Sequence, residues 1–487
     1  MGEPALFLGF DVGTQSTKAV LVDAQSHAVV ARAQQGYGLL PDLPAGCAEQ
    51  HPDTWIGAVA TAARMALQGV DPRQVAGIGV SGQQHGAVVL DARDQVIRPA
   101  KLWCDTSTAR EAQELGQKLG RAVPTGFTAS KLLWLRRHEP ANWARVRSVL
   151  LPHDYVNLRL CGERSMECGD ASGTGLFDPA ARTFDANAIA AVDPALATML
   201  PQLLPAGAVA GHLSADGARL LGLPTGVPLA TGGGDNMMAA IGSGATRAGT
   251  AVLSLGTSGT VFARSDAPVV DPDGLIAPFC SSDGAWLPLL CVMNVTGVTE
   301  AVRGLGARSH GELTELARAV PPGCDGLLWL PFLQGERVPD LPHAAGTLLG
   351  MRPGSLQPGP LYRAALEGTA CNLALGTARL RALGIPVERA ALVGGAANNA
   401  LWRQILADTL GVPVVPLEEP EAAALGAAIQ AIWTVRRHAG EDVDCEAVAR
   451  PFVREAGAPV APGPHAAFYQ GLVARFAEAV RHVYGTG

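Results

Sequence analysis

The sequence predicts a duplicated α/β fold, with two mixed sheets flanked by helices and a ligand cleft between them. Three observations support this. At 487 residues the chain is too long for one hydrophobic core, so two large domains are expected. Strand-like apolar runs alternate with helical ones, and 58 glycines suit the tight turns that join them. A strand–turn–strand motif also occurs twice, about half a chain apart. Its first copy is Leu8-Gly9-Phe10-Asp11-Val12-Gly13-Thr14-Gln15-Ser16-Thr17, continued by Lys18 to Asp23; the second runs from Ala251 through Gly256-Thr257-Ser258-Gly259 to Ala263. In each, alternating apolar residues enter and leave a Gly/Thr/Ser turn, the pattern of a β-hairpin. Small hydroxylated turn residues leave backbone N–H groups open to a phosphate. Two matched hairpins therefore predict nucleotide phosphates held between the halves.

In chain order, the first hairpin is followed by a third strand near 28–33 and a helix from Asp53, placed to cap it, to about Gln68. Val75–Val80 reads as a buried strand, and Ala87–Leu90 as another beyond the loop Ser81-Gly82-Gln83-Gln84-His85-Gly86. Helices are expected over 130–138, 154–161 and 214–221. Strand Val227–Ala230 leads into Thr231-Gly232-Gly233-Gly234-Asp235-Asn236 and a short helix over 237–241. The boundary is expected within 242–250, dividing the chain into domains 1–244 and 245–487. Beyond the second hairpin come a helix over 295–305, strand Leu327–Pro331 and a long helix over 361–383. Strand Ala390–Val393 ends in Gly394-Gly395-Ala396-Ala397-Asn398-Asn399, expected to start a helix reaching Leu410. Helices over 421–437 and 465–484 finish the chain, the last considered free to pack back on the first domain. The Pro/Gly-rich stretches 267–278 and 456–464 read as loops.

Composition narrows the partners. A net charge of −7 without a dense Lys/Arg run argues against nucleic acid or a membrane surface. It leaves room for an anion held by backbone N–H groups and Mg²⁺. Nine cysteines with no C-x-x-C fit reduced thiols rather than a disulfide or zinc framework. There is no basic n-region with a secretory h-region and no apolar run of ~18–20 residues, so a cytoplasmic protein is expected. A homodimer is the working expectation for assembly.

Three loops carry the polar residues. Asp11 stands beside a turn that would cradle phosphate, where a bare carboxylate repels its ligand, so it is read as a Mg²⁺ ligand. The alternative is an Asp bonding its own turn. Gly13, Thr14, Gln15, Ser16 and Lys18 are the phosphate contacts expected around it. Asp235 follows three glycines at a helix start, where the helix dipole is expected to lower its pKa and keep it ionised at neutral pH. It is placed to take a proton from a sugar hydroxyl, with Asn236 beside it, although a plain N-cap Asp fits the same pattern. Gln84 and His85 supply neutral donors and acceptors for several hydroxyls. Trp103 and Asp105 add a ring face and a hydroxyl acceptor, core packing and a turn being their alternatives. In the second half Gly256, Thr257, Ser258, Gly394, Gly395 and Asn398 are expected against the nucleotide. Gly77-Ile78-Gly79-Val80-Ser81-Gly82 matches G-x-G-x-x-G, but a strand follows it rather than the helix a dinucleotide fold requires. No G-x-x-x-x-G-K-[ST] occurs.

Seven motifs, taken in order, resemble those of the FGGY carbohydrate kinases, within the sugar kinase/actin/heat-shock-70 ATPase superfamily. They are Phe10-Asp11-Val12-Gly13-Thr14, Gly82-Gln83-Gln84-His85-Gly86, Gly232-Gly233-Gly234-Asp235-Asn236, Ser254-Leu255-Gly256-Thr257-Ser258-Gly259, Leu330-Pro331-Phe332-Leu333-Gln334-Gly335-Glu336-Arg337, Gly394-Gly395-Ala396 and the run Glu421 to Ala428. The resemblance implies two ribonuclease H-like domains of the actin/hexokinase ATPase type around a central cleft. It also implies ATP and Mg²⁺ as cofactors, Asp235 as proton acceptor, Asp11 at the Mg·ATP carboxylate, and Gln84 and His85 on the sugar. Gln-x-His-Gly, Trp103-Cys104-Asp105 and Gly169-Asp170-Ala171-Ser172-Gly173-Thr174 look most like the members that phosphorylate D-xylulose, giving D-xylulose 5-phosphate. D-ribulose, L-ribulose or a related polyol are the alternative substrates. A non-catalytic, actin-like or heat-shock-70-like ATP-binding protein is disfavoured, because it has no sugar hydroxyl for Asp235 to deprotonate. Gln84 replaces a Met found in some members, and Asn398-Asn399 a more usual polar or basic pair.

Overall fold

A computed structural model describes residues 5–485. Leu6–Val12 pairs antiparallel with Ser16–Asp23, and the turn closes where Gly13 N–H donates to the Ser16 carbonyl at 3.0 Å. Ala28–Gly36 extends this ribbon, while Val75–Gly82 and then Pro228–Ala230 add in parallel on the other side. Val209–His212 closes that edge. The second sheet repeats the arrangement. Trp286–Val292, Gly259–Ala263 and Gly249–Leu255 pair antiparallel, and Val387–Val393 and Val414–Pro416 follow in parallel. Ala277–Cys280 is its extra edge. The same strand order with the same pairing directions makes both halves ribonuclease H-like, of the actin/hexokinase type.

Each sheet has its own core. Leu8, Phe10 and Val80 pack with Trp55 and Ile56 of helix Pro52–Ala66. Leu253, Leu290 and Leu392 pack with Leu366 of Pro358–Ala382 and Ile405 of Ala400–Leu410. A third cluster joins the two halves. Phe7, Val20 and Val22 of the first sheet meet Leu425, Ile429 and Trp433 of helix Ala422–His438, together with Met238 and Ile241 of Asp235–Gly242. This late helix thus crosses to lie on strands 6–12 and 75–82 and on helix 235–242. The approach is closer than any side chain permits: a Cβ on Gly426 would sit 1.8 Å from the Met238 carbonyl oxygen, and one on Gly79 1.9 Å from that of Ala427. The final helix, Ala466–Tyr484, packs instead on helices 358–382 and 400–410. The return onto the first half is therefore made by helix 422–438, not by the last helix.

Prolines moved several expected ends. Pro52 takes the first helical position, where its missing N–H costs nothing, and His51 Nδ1 accepts from Asp53 N–H at 3.3 Å as the cap. Asp53 is left to accept from the Tyr155 hydroxyl at 2.6 Å. Pro152 likewise opens helix Pro152–Cys161 ahead of Asp154, which accepts from Leu151 N–H at 2.9 Å. Residues Gly395–Asn398 form a 3₁₀ turn rather than starting the helix, and Asn399 caps Ala400–Leu410 through the Trp402 N–H. Among the described residues no helix is long and apolar enough to cross a membrane.

Candidate active site

Three neighbouring strand ends build the first wall. Register sets Asp11 beside Ser81 and Ser81 beside Gly233. The chain leaving these strands supplies the hairpin turn, the loop of Gln83 to Gly86, and Asp235. This is the carboxyl edge of parallel strands, where open α/β sheets bind ligands.

Asp11 Oδ1 accepts from the Ser81 hydroxyl at 2.9 Å, and Lys18 stands opposite across the ribbon. Burial pushes the Asp11 carboxyl up, with Lys18 and Ser81 pulling it back. Lys18 is itself engaged, its ammonium paired with Glu421 just before the crossing helix. In the turn, Gln15 is exposed and Ser16 is buried, accepting from Gln34 Nε2 at 3.0 Å. Thr14 is locked from three sides: its hydroxyl donates to Gln83 Oε1 at 3.0 Å and accepts from Trp103 Nε1 at 3.0 Å, and its carbonyl accepts from Gln50 Nε2 at 2.7 Å.

Asp235 is the first residue of its helix, with Gly234 as the cap. Its Oδ1 accepts from the Asn236 backbone N–H at 2.8 Å and from Asn236 Nδ2 at 3.0 Å. Burial, with the like charges of Asp11 and Asp170, pushes its pKa up to about 8. This reverses the expected depression. A helix dipole is worth about 0.3–1 kcal/mol, less than one pKa unit, and cannot outweigh desolvation beside two carboxylates. Asn236 extends the network: its Nδ2 also donates to Gln84 Oε1 at 2.9 Å, and its Oδ1 accepts from the Thr260 hydroxyl of the second hairpin at 3.0 Å.

Gln84 Nε2 is buried near the Asp170 carboxylate and His85 Nδ1 is buried against Gly173, and neither completes a well-formed hydrogen bond there, which leaves them able to turn to a ligand's hydroxyls. Burial and the nearby Lys131 hold His85 well below its ordinary pKa, so the ring is neutral. It packs against Phe127 with ring centroids 4.6 Å apart and the planes tilted by 34°. Asp105, expected to accept from a substrate hydroxyl, is fully buried and committed elsewhere. It accepts from the Ala48 N–H at 2.9 Å, the Ser107 N–H at 3.0 Å and Lys101 Nζ at 3.2 Å, and so shapes the loop instead.

Sequence reasoning missed the support beneath this wall. Asp170 Oδ2 bonds His153 Nδ1 at 2.8 Å, both fully buried. Against the pull of burial, the carboxylates of Asp154 and Asp170 raise His153 well above its ordinary pKa. Asp170 lies in the quoted Gly-Asp-Ala-Ser-Gly-Thr run; Gln50, His153 and Lys131 carried no local signal.

The second wall repeats the first. Strand 249–255 runs parallel to 387–393, which sets Gly256-Thr257-Ser258 beside Gly394. Gly394 has φ +90°, and a Cβ there would lie 2.5 Å from the Leu255 carbonyl oxygen. Gly256, Thr257, Gly394, Gly395 and Asn398 are exposed, and Asn399 rather than Asn398 makes the helix cap. Among the described residues no group of three or more His, Cys, Asp or Glu is placed to hold a metal ion. Asp11 offers one carboxylate, which suits a cation that arrives with ligands of its own.

The family model of the FGGY carbohydrate kinases matches with its N-terminal domain over residues 6–242 and its C-terminal domain over 251–435. The chain is 41% identical over 446 residues to a xylulose kinase of Haemophilus influenzae, covering 88% of this chain and 90% of the relative. It is 40% identical over 471 residues to a xylulose kinase of Streptomyces coelicolor, covering 93% and 92%. Its fold is similar to the crystal structure of a xyloylose kinase from Brucella ovis, with a TM-score of 0.91, 31% identity and 99% of each chain covered.

Proposed function

The chain belongs to the FGGY family of carbohydrate kinases, and on that footing we propose how its cleft phosphorylates D-xylulose with ATP. The sugar lies on Gln84, His85, Asn236 and the ring of Trp103, with its terminal hydroxyl at Asp235. The substrate Mg·ATP lies with its phosphates between the turn of Gly13 to Ser16 and the turn of Gly256 to Ser258. Its adenosine side rests on Gly394, Gly395 and Asn398, and Asp11 faces its cation. Asp235 takes the hydroxyl proton as that oxygen attacks the γ-phosphorus, and ADP leaves. With a pKa of about 8, Asp235 is mostly protonated at pH 7. A divalent cation held at Asp11 would offset that carboxylate's charge, one of the causes that hold the Asp235 pKa up. A general base contributes ~10²–10⁴-fold, so most of the acceleration falls to positioning and charge stabilisation. Nine free cysteines suit a reducing cytoplasm.

One observation supports this reading above the others. Asn236 bonds Asp235, Gln84 and Thr260 at once, so base, sugar loop and nucleotide hairpin form one hydrogen-bonded unit. The test is an ADP-release assay with D-xylulose, D-ribulose, L-ribulose and polyols. D-Xylulose is expected to lead in kcat/KM by about tenfold or more. A higher value for any other sugar would replace D-xylulose as the substrate.

A further inference from the structure

Helix Thr128–His138 buries a lysine that the mechanism above does not use. Lys131 is 2% exposed, and its Nζ donates to the carbonyls of His85 at 2.7 Å and Gly126 at 2.6 Å. Lys101, equally buried, is paired with Glu49 at 3.0 Å and Asp105 at 3.2 Å. Lys131 has two neutral carbonyls in place of such partners. An ammonium withdrawn from water without a counter-ion is costly, and a hydrophobic side chain of similar length would avoid that cost. Burial pushes its pKa down to about 7, with Asp105 opposing and Lys101 assisting. An amine keeps two N–H donors, so both carbonyls stay bound in either protonation state.

What those bonds restrain is unusual too. His85 has φ +66°, left-handed backbone that a non-glycine residue adopts at a cost of about 1–2 kcal/mol. Its carbonyl takes a second donor from the same helix, the Thr128 hydroxyl at 3.2 Å. On the other side the imidazole is confined by Gly173, where a Cβ would stand 2.3 Å from the ring.

Building on the sugar site argued above, we propose that Lys131 is a positioning residue for sugar recognition, holding the His85 loop in its strained form so that the imidazole meets the sugar in one orientation. Lys131 acts through His85 and touches no ligand. A misplacement of about 1 Å in such a group costs up to about 10²-fold.

The test is a double-mutant cycle on the full-length enzyme: wild type, Lys131→Met, His85→Ala and the double variant, each with KM for D-xylulose and for ATP. Lys131→Met is expected to raise the sugar KM about tenfold or more while the ATP KM stays within about twofold. The double variant should bind sugar no worse than the weaker single variant, since both changes remove one contact. Lys131→Gln, which keeps two N–H donors on a shorter stem, should recover part of the loss, and it carries the cycle if the Met variant does not fold. An unchanged sugar KM in Lys131→Met, multiplying effects in the double variant, or an ATP KM that rises in parallel would each overturn the proposal. An unchanged sugar KM in His85→Ala would remove the sugar-site reading, and this proposal with it.

Discussion

As the proposed base, Asp235 takes a form that burdens the fold. Its pKa of about 8 lies far above the ordinary 3.8, so folding favours the protonated acid and is penalised as the carboxylate forms. Stability is unpenalised below about pH 4 and is progressively lost as pH rises through about 8, because the unfolded chain releases the proton earlier. Asp235→Asn is therefore expected to melt with wild type at pH 4 and several degrees above it at pH 8.5. The same variant should lose about 10²-fold or more in kcat while still binding sugar and nucleotide, because an amide cannot accept the proton. With both substrates well below saturation, so that the free enzyme's pKa is read, the wild-type rate should climb with pH and level off above about 8, as the base becomes free. A flat profile from pH 6 to 9, or an Asn variant with more than about a tenth of wild-type kcat, would remove Asp235 as the base. Asp11 and Asp235 were legible because each adjoins a Gly-rich turn, a local signal that needs no distant partner. Lys131, Gln50 and His153 were not: Lys131 reaches the His85 carbonyl 46 residues away, Gln50 the Thr14 carbonyl 36 away and His153 the Asp170 carboxylate 17 away, contacts that only the folded chain makes. Asp105 was misread because its oxygens are filled by Ser107 and Lys101 nearby and by Ala48 57 residues back, and proximity to Trp103 in sequence does not show which donors do so.

At the scale of elements, the two hairpins were legible from apolar runs flanking Gly/Thr/Ser turns, whereas strand Trp286–Val292 was not foreseen and Ala277–Cys280 falls partly in the stretch 267–278 read as a loop. Helix starts slid wherever a proline, at 52 or 152, took the first position. The larger misjudgement was which late helix crosses to the first half. An apolar stripe shows that a helix buries a face, not which sheet buries it. The answer lay in the small residues of Ala422 to Ala428, which permit an approach that the larger residues of the last helix forbid. Gly426→Val tests this. Its Cβ would meet backbone, the Met238 carbonyl oxygen at 1.8 Å and carbon at 2.7 Å, which cannot swing aside as a side chain can. A loss of about 3 kcal/mol or more is expected in denaturant unfolding, with little soluble protein. Gly471, inside helix Ala466–Tyr484 with open space about its Cβ, is the matched control. Gly471→Ala should gain about 0.5–1 kcal/mol. Equal effects at the two positions would show that close packing does not govern the crossing helix.

Across the whole molecule, the Gln84–Asn236–Thr260 bonds run from the first half to the hairpin of the second. A sugar seated on Gln84 strengthens one end of that chain, so binding should draw the halves together and exclude water from the phosphoryl group. Small-angle scattering should record a smaller radius of gyration with D-xylulose, and ATP hydrolysis without sugar should be much slower than transfer to it. An unchanged radius with equally fast hydrolysis would rule out sugar-gated closure. The crossing helix has a different consequence, felt before any substrate arrives. Roughly 340 residues (82 to 422) separate the end of the second strand it covers from its own start. At about 5–20 residues per second, the ribosome needs on the order of twenty seconds to a minute to synthesise that interval. Throughout it, Phe7, Val20 and Val22 stand on a nascent sheet whose cover does not yet exist. The first half therefore cannot finish folding as it emerges, and a chain that stalls before residue 422 is left with a sticky apolar face for chaperones or neighbouring chains to take up.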